Sequence, residues 1–233
     1  MRDHVEGRIL AETVDGVGLI TFARPAKHNA MTIGMWDGLA QILDDFARDD
    51  GVRVVVLTGA GPTAFVAGAD PDPDLLHGEA MRLAACAWAR LAGFPRPTIA
   101  RIRGACLDAG LGIALHCDLR IAAIDSDFGF PGPAAELAED GAMIRQLVSV
   151  VGPAHARMLL TTGQRIAAAE AQRIGLVNRV VADEDLSDTV VDLARSIADR
   201  CPQAMAALKR AVTEALQGPA ASRAAFPASA ATL

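Results

Sequence analysis

The chain has 233 residues, 52% of them hydrophobic, and carries 22 lysines and arginines against 28 aspartates and glutamates, a formal net charge of −6. That length suits one α/β domain with a helical extension, and the apolar fraction is enough for a large core and excludes a disordered chain. The acidic balance leaves no basic stripe to neutralise phosphates along a duplex, which argues against a nucleic-acid surface.

Met1 to Arg8 is polar and lacks the apolar centre of a signal peptide, and no apolar run is long enough to span a bilayer, so a cytoplasmic protein without a membrane partner is expected. Ile9 to Thr13 and Val17 to Phe22 predict two strands around Asp15-Gly16, a hairpin signal. Arg24 to Ala30 is a polar loop broken by proline. Between Thr32 and Asp49 the residues Trp36, Leu39, Ala40, Leu43 and Phe46 repeat at helical spacing, with Thr32 placed to cap. Val52 to Thr58 is a β-branched run, the mark of a parallel strand buried on both faces. Gly59 to Asp70 follows as a loop of small residues, which let a ligand approach the backbone. Leu75 to Phe94 returns to helical spacing and is closed by Pro95 and Pro97.

The stretch from Pro97 to Ala123 organises the chain. Thr98, Ile99 and Ile102 read as a strand, Gly104, Gly110 and Gly112 as a turn region, Ile113 to Leu115 as a short apolar helix, and Leu119 to Ala123 as a second strand. A strand that feeds through glycines into a helix start gathers unpaired N–H groups at the positive end of the helix dipole, a place to hold negative charge. That charge is either a phosphate or an oxygen that turns negative during a reaction. Close helix packing is the plainer role for such glycines. No third glycine completes the dinucleotide spacing after Gly110 and Gly112, and Gly59 to Pro62 lacks the lysine and hydroxyl of a phosphate loop. Arg101 and Arg103 form one basic spot, suited to a single phosphorylated small molecule.

Further on, Asp125 to Pro133 reads as a loop, Ala134 to Val151 as mostly helical, and Gly152-Pro153 as a helix restart running to Leu160. Ala167 to Ile174 is a short helix, Val177 to Val181 a strand, Leu186 to Arg200 and Gln203 to Leu216 two more helices, and Gly218 to Leu233 a low-complexity tail. Cys86, Cys106, Cys117 and Cys201 show no metal-ligand spacing, so reduced and mostly buried thiols and no metal are expected. His116 beside Cys117 is a weak nucleophile pair, because neighbours on a short helix point different ways.

Several phrases, in order, are shared with a known family: Ile20 to Ala30 (ITFARPAKHNA), Val52 to Gly61 (VRVVVLTGAG), Phe65 to Asp70 (FVAGAD), Cys117 to Ala123 (CDLRIAA) and Ala169 to Val181 (AEAQRIGLVNRVV). From about Ile20 to Val212 the chain resembles the enoyl-CoA hydratase/isomerase, or crotonase, superfamily. The resemblance implies an α/β crotonase-like (ClpP/crotonase) spiral of ββα units with a C-terminal helical region. It divides the chain into a core over 1–182, a helical oligomerisation region over 183–217 and a tail over 218–233. It also implies a homotrimer or hexamer, and a coenzyme A thioester as substrate or ligand with no permanently bound cofactor. In such proteins two backbone N–H groups hold the thioester oxygen; Ala69 and Ala109 match those donors. Coenzyme A would lie against Lys27, His28 and Ala30 of one loop and Ala67, Ala69 and Asp70 of another. Lys27 and His28 are equally readable as a solvated loop, and Arg24 and Arg101 are weaker candidates.

The departures matter as much. Hydratases of the family move a proton with two glutamates, and an ungapped count from Asp118 puts those positions on Gly112 and Gly132. Loss of a general acid or base costs about a hundred- to ten-thousand-fold, so standard hydration is expected to be very slow. A shifted loop would bring Glu136 nearer and restore a conventional hydratase. Asp140 falls where related 4-chlorobenzoyl-CoA dehalogenases carry an aspartate nucleophile, with Glu139 beside it. The plain alternative is that Asp140 and Glu139 are helix-start acids and that Asp108 caps the short helix at Ala109. The readings in play are an acyl-CoA lyase, isomerase or hydrolase, a non-catalytic acyl-CoA binder, and a structural partner subunit.

Overall fold

Residues along a strand alternate between its two faces, so a strand apolar at every position must be covered on both sides. Val54, Val55, Val56 and Leu57 are all buried. The computed structural model, which describes residues 2–5, 8–70, 77–131 and 141–217, shows what covers them. The larger sheet runs in the order β1 (Arg2–His4), β2 (Ile9–Val14), β3 (Val17–Phe22), β4 (Val54–Gly59), β6 (Thr98–Ile102), β8 (Leu119–Ala123) and β11 (Arg179–Val181). β1, β2 and β3 are antiparallel; from β3 onward each neighbour is parallel. The hairpin turn has φ of 49° at Asp15 and 80° at Gly16, the primed geometry that its Asp-Gly pair favours.

A smaller sheet runs β10 (Ile166–Ala167), β9 (Asp127–Gly129), β7 (Ala105–Leu107) and β5 (Ala64–Ala67), with β5, β7 and β9 parallel. Here the structure departs from expectation: residues 59–70 and 125–133 each contribute a strand, and a third follows Gly104. A unit of long strand, short strand and helix recurs: β4, β5 and α2 (His77–Ala92); β6, β7 and α3 (Ala109–His116); then β8, β9 and, beyond residues 132–140, α4 (Gly141–Thr162). This is the spiral of ββα units that the resemblance implies. The short helix begins at Ala109, so Gly110 and Gly112 lie inside it rather than in a turn.

The core divides as the alternation requires. Val55 and Leu57 face a large cluster with Trp36, Leu39 and Leu43 of α1 (Ile33–Arg48), Trp88 of α2, and Leu111 and Leu115 of α3. Val54, Val56, Ile99 and Ile121 face Leu186, Val190 and Ala194 of α6 (Leu186–Ala198). Thr32 caps α1, accepting from the Met35 N–H at 3.3 Å. The expected break in α4 falls at Gly152, with φ 74° and ψ 164°. After α5 (Ala168–Arg173) and α6, α7 (Pro202–Gln217) is tied back by Lys209, which donates to Asp118 at 2.7 Å and to the Arg96 carbonyl at 3.1 Å. All four thiols are free, Cys106 and Cys117 buried and Cys86 and Cys201 exposed, so half rather than most are inside.

α3 presses on β5 at one point. A Cβ on Gly110 would lie 2.0 Å from the Val66 carbonyl oxygen, a contact that only backbone movement relieves. Glycine to alanine in a helix interior ordinarily stabilises by about 1 kcal/mol. Gly110→Ala should reverse the sign and destabilise by at least about 2 kcal/mol, as overpacking against backbone does. Urea denaturation of the two proteins checks this.

Candidate active site

The register of the smaller sheet builds the site. Ala67 on β5 pairs with Leu107 on the parallel β7, and the Gly68 N–H donates to the Leu107 carbonyl at 3.1 Å. Both chains then bend. Gly68 takes φ 82°, and Asp108 takes φ 46° with ψ −110°, a strained conformation for a residue with a Cβ. Ala69 and Ala109, the next residue on each chain, therefore stand at the same ends of neighbouring strands.

Their amide groups are left over by this geometry. Met31 forms a bridge with Ala69 in which the Met31 N–H donates to the Gly68 carbonyl and the Asp70 N–H to the Met31 carbonyl, at 3.1 and 2.8 Å. The Ala69 N–H has no acceptor among the described residues. Ala109 opens α3, whose bond from the Gly112 N–H to the Asp108 carbonyl is 2.9 Å, and the Ala109 N–H also lacks a described acceptor. The buried cation of Arg120 sits at the other end of α3, donating to the carbonyls of Ala114 and Cys117 at 3.2 and 2.7 Å.

The loop from Arg24 to Ala30 is lashed to this region. A 3-10 turn over Pro25–Lys27 leads into His28 and Asn29, both left-handed at φ 49° and 57°. Asn29 is wholly buried; its side chain accepts from the Arg24 N–H at 2.9 Å and donates to the carbonyls of Ala60 and Ala64 at 3.0 and 2.8 Å. The Arg24 guanidinium donates to Asp70 and to the Ala30 carbonyl, each at 2.7 Å, and the Ala67 N–H donates to the His28 carbonyl at 3.0 Å. His28, Ala30, Ala67, Ala69 and Asp70 are thus brought together, with Lys27 exposed on the same loop. Asn29 escaped the sequence reading. Arg24, expected only as a weak ligand contact, instead holds Asp70, and its hydrogen bond keeps the Asp70 carboxyl below the usual carboxylate range.

Gly112 faces an indole. A Cβ there would lie 2.5 Å from Cζ2 and 2.8 Å from Cε2 of Trp88, which stacks on His116 at a centroid distance of 5.7 Å and an interplanar angle of 1°. His116 Nδ1 lies 2.7 Å from the Gly112 carbonyl oxygen, to which it donates. Cys117 beside it is no nucleophile: burial pushes its thiol up to about 12, so it stays protonated. Asp108 stands at the cap position of α3 but makes no side-chain cap bond, contrary to expectation; a Cβ on Gly68 would lie 3.8 Å from its Oδ2. The basic spot at Arg101 and Arg103 is occupied by the chain itself. Arg103 pairs with Asp183, and Arg101 donates to Thr58 at 3.0 Å and Ser187 at 3.3 Å. Gly132, Glu136, Glu139 and Asp140 lie outside the described residues. No cluster able to hold a metal ion occurs among the described residues, and no described helix is long and apolar enough to cross a membrane.

An α/β spiral of ββα units defines the class of fold. Residues 12–229 match the family described as enoyl-CoA hydratase/isomerase, and the chain belongs to that family, with the crotonase fold. It is 32% identical over 214 residues to a short-chain-enoyl-CoA hydratase of Clostridium acetobutylicum, covering 90% of this chain and 82% of that one. It is 34% identical over 208 residues to a putative enoyl-CoA hydratase/isomerase, YngF, of Bacillus subtilis, covering 86% and 79%. Among solved structures, an enoyl-CoA hydratase from Bacillus anthracis superposes with a TM-score of 0.84 at 30% identity, covering 91% of this chain and 84% of that one. A monofunctional enoyl CoA isomerase from M. smegmatis superposes with a TM-score of 0.79 at 32% identity, covering 92% and 96%.

Because Arg24 lowers the Asp70 pKa, the ion pair contributes in full above the unfolded carboxylate pKa, and the contribution is lost as pH falls from there through the lowered folded value. Denaturant unfolding of wild type and Asp70→Asn should show the wild-type advantage at about pH 6 shrinking by about pH 3, in keeping with a half-exposed pair.

Proposed function

We propose that this chain binds a coenzyme A thioester with its carbonyl oxygen between the N–H groups of Ala69 and Ala109, and acts on it by isomerisation, decarboxylation or hydrolysis rather than by standard hydration. The observation that carries the reading is the pair of amides left without acceptors among the described residues where β5 and β7 end side by side. As an enolate forms, the thioester oxygen gains charge, and each fixed donor aimed at it is worth about 3 kcal/mol in the transition state. The positive end of α3 lies behind Ala109 and adds to the same effect. Lys27, His28 and Ala30 flank the nucleotide end of the ligand, with Ala67 and Asp70 shaping the loop beneath it.

The departure from hydration is supported by Gly112. No side chain there carries a proton, and Trp88 occupies the direction a Cβ would take. Asp140 is the acid/base we assign. The same loss of a carboxylate at 112 favours a second reading, a non-catalytic acyl-CoA binder that keeps the thioester pocket. On α7, Leu208, Val212 and Leu216 recur on one face and are exposed, which supports a homotrimer or hexamer, and we take the protein to be cytoplasmic.

Incubation with enoyl-, 3-oxoacyl- and malonyl-type CoA esters, recording binding and turnover together, tests the proposal. Crotonyl-CoA should be bound but hydrated at least about a hundredfold more slowly than by a glutamate-bearing hydratase. Turnover of another member of the panel should fall about a hundredfold or more in Asp140→Asn. Binding without turnover across the panel, unchanged by that substitution, would leave the binder reading. Crotonyl-CoA hydration at an ordinary hydratase rate would overturn the reading of Gly112.

A further inference from the structure

With glycine at 112, a proton carrier for the thioester site has to come from elsewhere. Carboxylates adjoin both of the paired amides: Asp70 follows Ala69, and Asp108 precedes Ala109. Asp70 is committed to Arg24 at 2.7 Å, and that hydrogen bond holds its carboxyl below the usual carboxylate range. A carboxylate so paired is a poor acceptor for a further proton.

Asp108 is placed differently. Its φ of 46° and ψ of −110° suit glycine, and strain of this kind persists only where the surroundings impose it. Here they do so from both sides. The Asp108 N–H donates to the Gly129 carbonyl at 3.0 Å, and the Asp108 carbonyl accepts from the Gly112 N–H at 2.9 Å. The side chain makes no cap bond to α3; its Oδ2 lies 3.8 Å from the point that a Cβ on Gly68 would occupy. Gly68 precedes Ala69 on the neighbouring chain, where its N–H bonds the Leu107 carbonyl. The carboxylate therefore leans from the chain that carries one amide toward the chain that carries the other. Asp108, Ala109 and Gly68 are half-buried and Ala69 is exposed, so a ligand can reach this group.

Covalent geometry keeps both Asp108 carboxylate oxygens within about 5 Å of the Ala109 nitrogen. A thioester oxygen about 2.9 Å from that nitrogen has its own C2, about 2.4 Å further, within the same span. We propose that Asp108 is the catalytic residue that takes the proton from C2 of the bound acyl group. This rests on the thioester reading and names the base within it. The C2–H bond breaks, the proton passes to the carboxylate, and the electron pair forms an enolate whose oxygen the Ala69 and Ala109 N–H groups hold. Negative charge moves from the carboxylate to that oxygen, both beside the positive end of α3, so the helix faces one charge before and after. Delivery of a proton elsewhere on the acyl chain stays with Asp140.

In D2O the proton on Asp108 exchanges with solvent, and its return leaves deuterium at C2. Butyryl-CoA is the probe, with deuterium read by mass spectrometry and binding by calorimetry. The wild type should exchange C2, and Asp108→Asn should exchange at least about a hundredfold more slowly while still binding the ester. Asp108→Gly should lose exchange to the same extent, yet remain folded, because glycine adopts this conformation freely. A residue that only shaped the turn would be replaced by glycine without that loss. Should Asp108→Asn fail to fold, Asp108→Gly decides the matter. Exchange at the wild-type rate in a folded variant, or no exchange by a wild type that binds the ester, would overturn this assignment and leave the thioester reading standing. Failure of the wild type to bind would overturn both.

Discussion

The structure depends on the close apposition of β5 and β7 with α3 pressed over them. One hydrogen bond, from the Gly68 N–H to the Leu107 carbonyl, fixes where the two strands stop together. The missing Cβ of Gly110 lets α3 come down onto the Val66 carbonyl directly after its first residue. A side chain at 110, or a slip of one residue in the register, would move Ala69 and Ala109 relative to each other and separate the two leftover amides. The catalytic capacity proposed for this chain is thus a consequence of main-chain register, with the side chains there required only to be small.

Everything around that register holds it in place. Asn29 has no freedom at all: buried, left-handed and bonded three ways, it pins the loop of Arg24 to the strand end at Ala64. Leaving any of these groups unpaired would cost about 1–3 kcal/mol. Arg24 then clamps Asp70, one residue past Ala69, and Arg120 closes the far end of α3. The second cluster, between the sheet and α6, supports β4, β6 and β8 from the face opposite α1, α2 and α3.

Much of this was legible in the sequence. β4 announced itself by four consecutive buried valine and leucine positions, and α1 by its spacing and its Thr32 cap, because packing there agrees with local preference. The strands of the smaller sheet were hidden for a physical reason. Ala64–Ala67, Ala105–Leu107 and Asp127–Gly129 span three or four residues, are rich in alanine and glycine, and have too few β-branched side chains to stand out from turns. They are strands because parallel neighbours pair with them, and pairing is not written in local composition. Ala69 and Ala109 were singled out through shared motifs rather than through residue chemistry, since an alanine amide carries no mark. Trp88 was not singled out within the helical spacing of Leu75 to Phe94; its contact with Gly112 belongs to the structure alone. Asp108 misled in the other direction, because an Asp before a short helix reads as a cap, and its left-handed backbone turns the carboxylate away from that use.

The central claim is that two main-chain amides polarise one carbonyl oxygen, and the carbonyl itself reports on it. Infrared difference spectroscopy of an acyl-CoA labelled with 13C at the thioester carbon reads that stretch in the bound state without any need for turnover. The account predicts a bound frequency shifted below that of the free ester, and a partial return toward the free value when Ala109 is replaced by its α-hydroxy acid, which deletes one N–H without imposing a proline ring after the φ 46° bend at Asp108. A bound thioester stretching at its solution frequency would contradict it.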